Sequence, residues 1–229
     1  MERDVIIACD FPSKEKLAEF LEPFKGMDPY LKIGMEIFDK EGPSLVKELK
    51  EMGFHIFLDL KLHDIPNTVK SALAKLGELG VDIINIHAEG GIEMMKAARE
   101  GLNMSEAGKK TKLIAVTILT SLNDDILHNE LLIDPKYSLR DVVRHYAENV
   151  KAAGLDGVVC SALEAPMMKE LGREMLQILR ETDNLSQAAE RILFEIRTDA
   201  VNVVPADGLE NIRPLERPET TPEEETKAA

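Results

Sequence analysis

The chain has 229 residues, enough to bury a full hydrophobic core as one large or two small domains. Its formal net charge of −14 argues against a general nucleic-acid-binding protein and against a protein that binds anionic membranes. An anionic small substrate stays possible, because a local cluster of Lys and Arg can reverse the potential inside one cleft.

The two cysteines, Cys9 and Cys160, each lie in an apolar run, where a small buried thiol is the expected state. So few cysteines indicate a reduced, cytoplasmic protein. The charged first residues predict no signal peptide, and no apolar run approaches the 18 residues or so of a membrane span.

Short apolar strands alternate with helix-period segments from the start of the chain. Six strands are predicted, at 4–10, 30–35, 55–60, 82–88, 112–119 and 157–161. Helices are predicted from about Ser13, over about 43–52 and 66–79, after Gly90-Gly91, and from Ser138, which can cap its helix with Asp141. A polar loop is predicted over 122–137. Consecutive strand–helix units of this kind call for a parallel sheet covered by helices.

Two α/β architectures fit this order, an open doubly wound sheet and a closed (β/α)8 barrel of the TIM type. Charged and polar residues recur at the carboxyl ends of many strands: Asp10, Lys32, Asp59, Lys61, His87, Thr120 and Ser161. An open sheet gathers its ligand residues at one switch point, whereas a barrel gathers them from its whole rim. No Gly-x-Gly-x-x-Gly opens the first helix. These patterns favour the barrel.

The last units of the barrel are atypical or incomplete in the sequence. MLQIL (175–179) predicts a seventh strand, 185–196 a seventh helix and AVNVV (200–204) an eighth strand, with no closing eighth helix. Residues 205–229 are rich in Pro and Glu and predict a disordered acidic tail. The prediction is therefore a single barrel domain over 1–204, followed by this tail.

The most informative stretch is His-Ile-Phe-Leu-Asp-Leu-Lys-Leu-His-Asp-Ile-Pro-Asn-Thr, residues 55–68. Side chains alternate along a strand, so Asp59 and Lys61 are expected to point the same way, with Asp64 just past the strand. Ion pairs contribute little to stability at a surface and must overcome desolvation when buried, so this row of charges indicates chemistry. The alternative is a solvated loop that is polar by chance.

Six segments together resemble the orotidine 5′-phosphate decarboxylase family over about residues 4–165. They are IIACDFP, LKIGMEIF, DLKLHDIPNTV, INIHAEGG, AVTILTS and LDGVVCS. The Asp-x-Lys-x-x-Asp core is shared with sugar-phosphate decarboxylases and aldolases of the same superfamily. Lys32 on the second strand separates the two groups, because an acidic residue is expected there in those relatives.

The resemblance implies a lyase that decarboxylates orotidine 5′-monophosphate to uridine 5′-monophosphate in pyrimidine biosynthesis, without metal or cofactor. Lys61 would stabilise the developing carbanion as a preorganised ammonium and then donate the proton. Asp59 would lie beside the substrate carboxylate and, with Asp64, would hold Lys61 charged and in place. Lys32 would complete an alternating Lys-Asp-Lys-Asp row.

Binding roles follow from the same resemblance. Lys32 and Asp10 would contact the ribose, and Thr120 and Ser121 would line the pyrimidine. Asp64, Ile65 and Thr68 belong to the substrate-binding set, with Asp64 and Thr68 reaching the site of a partner subunit, which implies a homodimer with shared sites. Simpler roles compete: Asp10 capping the first helix, Lys32 extending its ammonium to the rim, and His87 as a satisfied core residue.

The resemblance weakens at the phosphate end. After strands seven and eight the family is expected to carry Thr-Pro-Gly-Ile-Arg and Val-Gly-Arg-Pro, but this chain has LRETDN and VVPADG. Arg180 is the nearest candidate for the first arginine. Phosphate binding energy helps to close loops over the ring, so its loss would lower turnover as well as affinity. Two alternatives stay open: a Mg²⁺-dependent sugar-phosphate decarboxylase of the same superfamily, and a non-catalytic barrel relative, which the missing phosphate motif favours.

Overall fold

The computed structural model describes residues 5–27, 29–171, 176–180 and 200–205, and within them the chain forms a closed parallel barrel. Each strand pairs with the next, and the eighth pairs with the first. The strands are β1 (Val5–Ala8), β2 (Tyr30–Gly34), β3 (His55–Leu62), β4 (Ile83–His87), β5 (Lys112–Val116), β6 (Gly157–Ser161), β7 (Leu176–Arg180) and β8 (Ala200–Pro205). The predicted barrel is confirmed, and the open sheet is wrong.

Helices connect the strands on the outside of the barrel. The α-helices are α1 (Lys14–Leu21), α2 (Met35–Glu41), α3 (Pro43–Glu51), α4 (Pro66–Leu76), α5 (Gly91–Leu102), α6 (Asp124–Asn129), α7 (Leu139–Ala152) and α8 (Ala165–Leu171). Short 3-10 turns cover Glu22–Phe24, Gly77–Leu79, Ala88–Gly90, Gly108–Lys110 and Ala162–Glu164. The predicted capping box at the start of α7 is present, with Ser138 and Asp141 bonded reciprocally.

Two helices were not expected from the sequence. α2 follows β2 directly and ends at Glu41, and the φ of +71° at the next residue, Gly42, lets the chain turn into Pro43 and α3. α6 lies inside the segment predicted as a polar loop, where the Asn123 side chain accepts a hydrogen bond from Ile126 N–H. Both helices are short, so their apolar residues give little periodicity to detect.

Some predictions fall outside the described part of the chain. The helix at 185–196 and nearly all of the acidic tail lie there, so they stay predictions, as does the domain boundary. The eighth strand ends at Pro205, one residue beyond its expected end and at the residue where the tail was expected to begin. Within the described ranges, none of the helices is both long enough and apolar enough to cross a bilayer.

The barrel interior is packed with side chains. One buried cluster faces the barrel axis and consists of Ile6, Ala8, Phe57, Ile83, Ile114, Val116 and Val159. A larger cluster fills the space between the strands and the surrounding helices and includes Leu31, Ile33, Ile56 and Leu58. The interior is therefore a core rather than a channel, so a small molecule can bind only at an end of the barrel.

A Gly-apolar-Asp motif occurs twice at the amino end of the barrel, just before β4 and just before β6. Gly80 and Gly154 have positive φ angles of 65° and 75°, and each precedes a strand that is led by an aspartate. The Asp82 carboxylate accepts the backbone N–H of Ile56 at 2.7 Å, and the Asp156 carboxylate accepts that of Leu113 at 2.8 Å. Each aspartate thus ties its own strand to the preceding one.

Asp82 is expected to stabilise the fold in a pH-dependent way. Its carboxylate also accepts hydrogen bonds from Lys50 Nζ at 2.8 Å and from His55 Nδ1 at 3.1 Å. Burial alone would raise the pKa of Asp82, but the hydrogen bonds from Lys50, Ile56 N–H and His55 outweigh burial and lower it. We expect Asp82→Asn to reduce the free energy of unfolding at pH 7 by about 2 kcal/mol in urea denaturation.

The sign of the pH effect follows from the lowered pKa. A carboxyl group whose pKa is lower in the folded state stabilises the fold above its unfolded pKa of about 3.9, and this contribution disappears as the pH falls through the folded value. The difference between wild type and Asp82→Asn should therefore shrink below about pH 4. Asp134→Asn, at an exposed site, is the control and should change stability little. A difference that grows in acid would contradict this assignment.

Candidate active site

The alternation of the strands places a set of polar residues above the packed interior. Several residues of the inward-facing cluster are followed two positions later, towards the carboxyl end of the barrel, by a polar residue. Ala8 is followed by Asp10, Phe57 by Asp59 and Ile83 by Asn85. Lys32 follows Tyr30, which packs on the same cluster. Because parallel strands share one carboxyl edge, these side chains meet at one end of the barrel.

Four of the predicted residues form a continuous chain of ion pairs. Lys32 Nζ lies 2.8 Å from Asp10 Oδ1 and 3.6 Å from Asp59 Oδ2. Lys61 Nζ lies 2.6 Å from Asp59 Oδ1. The predicted alternation of carboxylates and ammonium groups is present, but within one chain it runs Asp10–Lys32–Asp59–Lys61, beginning at Asp10.

The ion-pair chain runs from solvent into the protein. Asp59 is only 1% exposed and Lys32 only 4%, whereas the Asp10 side chain is 58% exposed. Burying a charge is strongly unfavourable unless it is paired, so the inner charges depend on one another. The arrangement therefore holds an ammonium and a carboxylate in fixed positions at the carboxyl end of the barrel.

The backbone of β3 is irregular where it carries the two central residues. The register of its pairing with β4 shifts between Leu58 and Leu62. Lys61 has a φ of +52°, in the left-handed region, which is unfavourable for residues that carry a side chain. Asp59 and Lys61 do meet, as predicted, but the assumption of a regular strand was wrong. This backbone is strained by about 1–2 kcal/mol at Lys61.

Asn85 on β4 was missed by the sequence analysis. It is buried, its Nδ2 donates a hydrogen bond to Asp59 Oδ1 at 2.6 Å, and its Oδ1 accepts one from the backbone N–H of Lys61 at 2.8 Å. The available signal was an amide at an inward-facing position of an otherwise apolar strand. Such a residue needs a buried partner, and here it has two.

His87 differs from the expected satisfied core residue. Its Nδ1 is buried and has no hydrogen-bond partner within the described part of the chain. Its ring lies 5.5 Å from that of His63, centroid to centroid. Burial first, and then the charges of His63 and Lys61, lower the pKa of His87, so the imidazole is neutral at pH 7. A neutral ring adds no competing charge beside Lys61.

Gly34 is a second residue that the sequence analysis missed. It ends β2, and a Cβ atom there would lie 3.1 Å from Asp10 Oδ1 and 3.3 Å from Lys32 Nζ. The absence of a side chain leaves room for that ion pair.

If these residues are catalytic, we expect Gly34→Ala to lower the kcat/KM of the site about tenfold, because small displacements of reacting groups strongly reduce the rate. The φ of Gly34 is −87°, which alanine adopts readily, so thermal unfolding should change little. Unchanged kinetics would show that this close contact is not required.

The residues at the start of α4 lie on the surface. Asp64, Ile65 and Thr68 are all exposed, Ile65 by 67%. The Asp64 carboxylate accepts a hydrogen bond from the Ile65 backbone N–H at 2.7 Å. Ile65 then precedes Pro66, the first residue of the helix. This surface is accessible to another molecule.

The remaining predicted residues follow other strands at the same end of the barrel. Thr120 and Ser121 are exposed and follow β5, which ends at Val116. Arg180 is the last residue of β7, in register with Ser161 and Val203. The segment after Arg180, where the family's first phosphate motif is expected, lies outside the described residues.

The site can provide a fixed cationic acid. The Lys61 side chain is 12% exposed, so a bound molecule can reach it while the ion pair with Asp59 fixes its position. Such a group can stabilise negative charge that develops on a bound molecule and can transfer a proton to it. Burial raises the pKa of the Cys9 thiol to about 12, so it is unsuited to act as a nucleophile. Across the ranges described, no three His, Cys, Asp or Glu residues are grouped to hold a metal ion.

Several known proteins are similar to this chain in sequence and structure. A curated orotidine 5′-phosphate decarboxylase from Bacillus mycoides is 46% identical over 200 residues, which cover 86% of this chain and 82% of that protein. The crystal structure of the Lactobacillus acidophilus orotidine 5′-phosphate decarboxylase is 36% identical, covers 88% of this chain and 90% of that one, and has a TM-score of 0.79. A Methanocaldococcus jannaschii structure, solved with the inhibitor BMP, is 19% identical, covers 90% of each chain, and has a TM-score of 0.70, a likeness of fold alone.

A family model also matches most of the chain. It is described as orotidine 5′-phosphate decarboxylase / HUMPS family and matches residues 3–203. The match extends well beyond the segments at 4–165 that carried the resemblance, and it includes the last strands. The resemblance is confirmed, and the chain belongs to the orotidine 5′-phosphate decarboxylase / HUMPS family.

Proposed function

We propose that this protein is a carboxy-lyase that converts orotidine 5′-monophosphate into uridine 5′-monophosphate and CO2 in pyrimidine biosynthesis. The observation that carries the proposal is the ion-pair chain, whose inner members Lys32 and Asp59 are buried and which ends in Lys61 at the carboxyl end of the barrel. The names of the relatives at 46% and 36% identity support the same reaction. The substrate is thus a pyrimidine nucleoside monophosphate.

The proposed chemistry uses only groups of the protein. The bond between the ring carbon and the carboxylate breaks, CO2 leaves, and the electron pair stays on the ring carbon. The Lys61 ammonium stabilises that charge and then transfers a proton from Nζ to the carbon. Neutral Lys61 regains a proton from water before the next turnover. No metal or cofactor enters any step.

The other members of the chain position the reacting groups. Asp59 holds Lys61 by the 2.6 Å ion pair and would lie beside the substrate carboxylate. Lys32 and Asp10 would bind the ribose hydroxyls, and the exposed Asp10 carboxylate retains lone pairs to accept them. Thr120 and Ser121 would line the pyrimidine.

We further propose a homodimer with shared active sites. Asp64, Ile65 and Thr68 lie exposed at the start of α4, and this exposure supports contact with the site of a partner subunit. Arg180, at the end of β7, is proposed to contribute to phosphate binding. Cys9 and Cys160 are both buried, and a sequence with only two cysteines supports a reducing compartment such as the cytoplasm.

The test is a comparison of substrate classes. Purified protein is incubated with orotidine 5′-monophosphate in excess EDTA, and the pyrimidine absorbance is followed. We expect turnover in EDTA and none with a β-keto-acid sugar phosphate, with or without Mg²⁺. Mg²⁺-dependent turnover of the sugar phosphate would identify the rival decarboxylase. A folded protein that turns over neither substrate would support the non-catalytic relative.

A further inference from the structure

The break in the β3–β4 ladder has a single residue opposite it. Leu58 pairs with Ile84 and Leu62 pairs with Ile86, so residues 59–61 of β3 face only Asn85 of β4. A bulge of this kind leaves backbone groups without ladder partners. The bulge contains both Asp59 and Lys61, so whatever fixes its shape also fixes the reacting groups.

The Asn85 side chain takes the place of the missing ladder. Its Oδ1 accepts the Lys61 backbone N–H at 2.8 Å, at the residue whose φ is +52°. Its Nδ2 donates to Asp59 Oδ1 at 2.6 Å, the same oxygen that pairs with Lys61 Nζ. With 1% of its surface exposed, Asn85 has no access to water as a substitute partner.

We propose that Asn85 is a positioning residue for the decarboxylation, one that holds the Asp59 carboxylate and the Lys61 backbone at a fixed separation. The inference rests on the proposed function and adds a residue that acts through the two groups without touching substrate. A neutral amide suits the position because it offers a donor to one neighbour and an acceptor to the other. An ionised carboxylate offers only acceptors and would repel Asp59.

Asn85→Asp provides a test that a purely structural role would not pass. When protonated, the introduced carboxyl group can donate its O–H to Asp59 and accept the Lys61 N–H, as the amide does. When ionised, it cannot donate. The activity of the variant should therefore be restored in acid and lost as the pH rises through the pKa of the introduced group.

The neighbouring charges require that the result be expressed as a ratio. Asp59 and Lys61 face the position from β3, and Lys32 on β2 reaches it through Asp59. His87 lies two residues along on β4, with its ring near His63. Wild type shares all these groups, so the ratio of variant to wild-type kcat at each pH isolates the introduced carboxyl.

The experiment measures kcat and KM for orotidine 5′-monophosphate across pH 5–9 in three variants. We expect kcat of Asn85→Asp to be about 100-fold below wild type at pH 8 and to recover at least tenfold towards pH 5, with KM little changed. Asn85→Ala should lose a similar factor at every pH. Thr111→Val removes another buried hydrogen bond, to Val81 O at the far end of the barrel, and should keep wild-type kcat.

Two results would overturn the inference. One is an Asn85→Asp ratio that does not change with pH, and the other is a wild-type kcat in folded Asn85→Ala. Should Asn85→Asp not fold, the kcat of Asn85→Ala relative to Thr111→Val decides the question. Failure of the proposed function would instead show as absent turnover in wild type, whereas failure of this inference shows only in the variants.

Discussion

Lys61→Ala is expected to lower kcat for orotidine 5′-monophosphate by at least about 10⁴-fold, because one substitution removes both the electrostatic stabilisation and the proton donor. Lys32, the other ammonium of the ion-pair chain in the described part of the structure, cannot substitute because it is held between Asp10 and Asp59. The fold should survive, since Asp59 keeps its ion pair with Lys32 and its hydrogen bond from Asn85.

Lys70→Ala is the matched control for this prediction. Lys70 forms an ion pair with Glu100 between α4 and α5, and 40% of its side chain is exposed. Its loss removes a positive charge of the same kind away from the site and should leave kcat unchanged. Circular dichroism and thermal unfolding would establish that both variants are folded. Near-normal turnover by Lys61→Ala would exclude its assigned role.

The second large effect is expected from mixing inactive chains. In the proposed dimer each site takes Lys61 from one subunit and Asp64 from the other, so Asp64→Asn should be severely impaired alone. If Lys61→Ala and Asp64→Asn chains exchange freely, half of the dimers are heterodimers, and each has one intact site. Activity should therefore recover to about a quarter of the wild-type value per site.

A second mixture controls for this complementation. Asp59 and Lys61 are joined by an ion pair within one chain, so mixing Asp59→Asn with Lys61→Ala leaves no intact site in any dimer. No recovery is expected in that mixture. Equal recovery in both mixtures, or recovery in neither, would contradict the assignment of Asp64 to the partner's site.

The sequence was sufficient for the architecture and for the charged residues of the site, for physical reasons. Continuous apolar strands indicate a parallel sheet, and polar residues at the carboxyl ends of many strands favour a barrel over an open sheet. Charged residues such as Asp59 and Lys32 are rarely buried unless they are paired. The family was predicted from the same segments and is confirmed.

Other features depend on contacts between distant parts of the chain and could not be predicted. The bulge in β3 arises from its pairing with β4, and the role of Asn85 becomes visible only when that register is known. The lack of a hydrogen-bond partner for His87 Nδ1 among the described residues likewise depends on how distant segments pack. α6 was missed because its six residues are too few for a helical period to emerge.

The most direct test of the account is a measurement of CO2 release. Wild-type protein in D2O with EDTA is given carboxyl-labelled orotidine 5′-monophosphate, released CO2 is counted, and the nucleotide product is examined by NMR. The account predicts one CO2 for each uridine 5′-monophosphate formed, with deuterium at the ring carbon that lost the carboxylate. Folded protein that binds the substrate but releases no CO2 would contradict it.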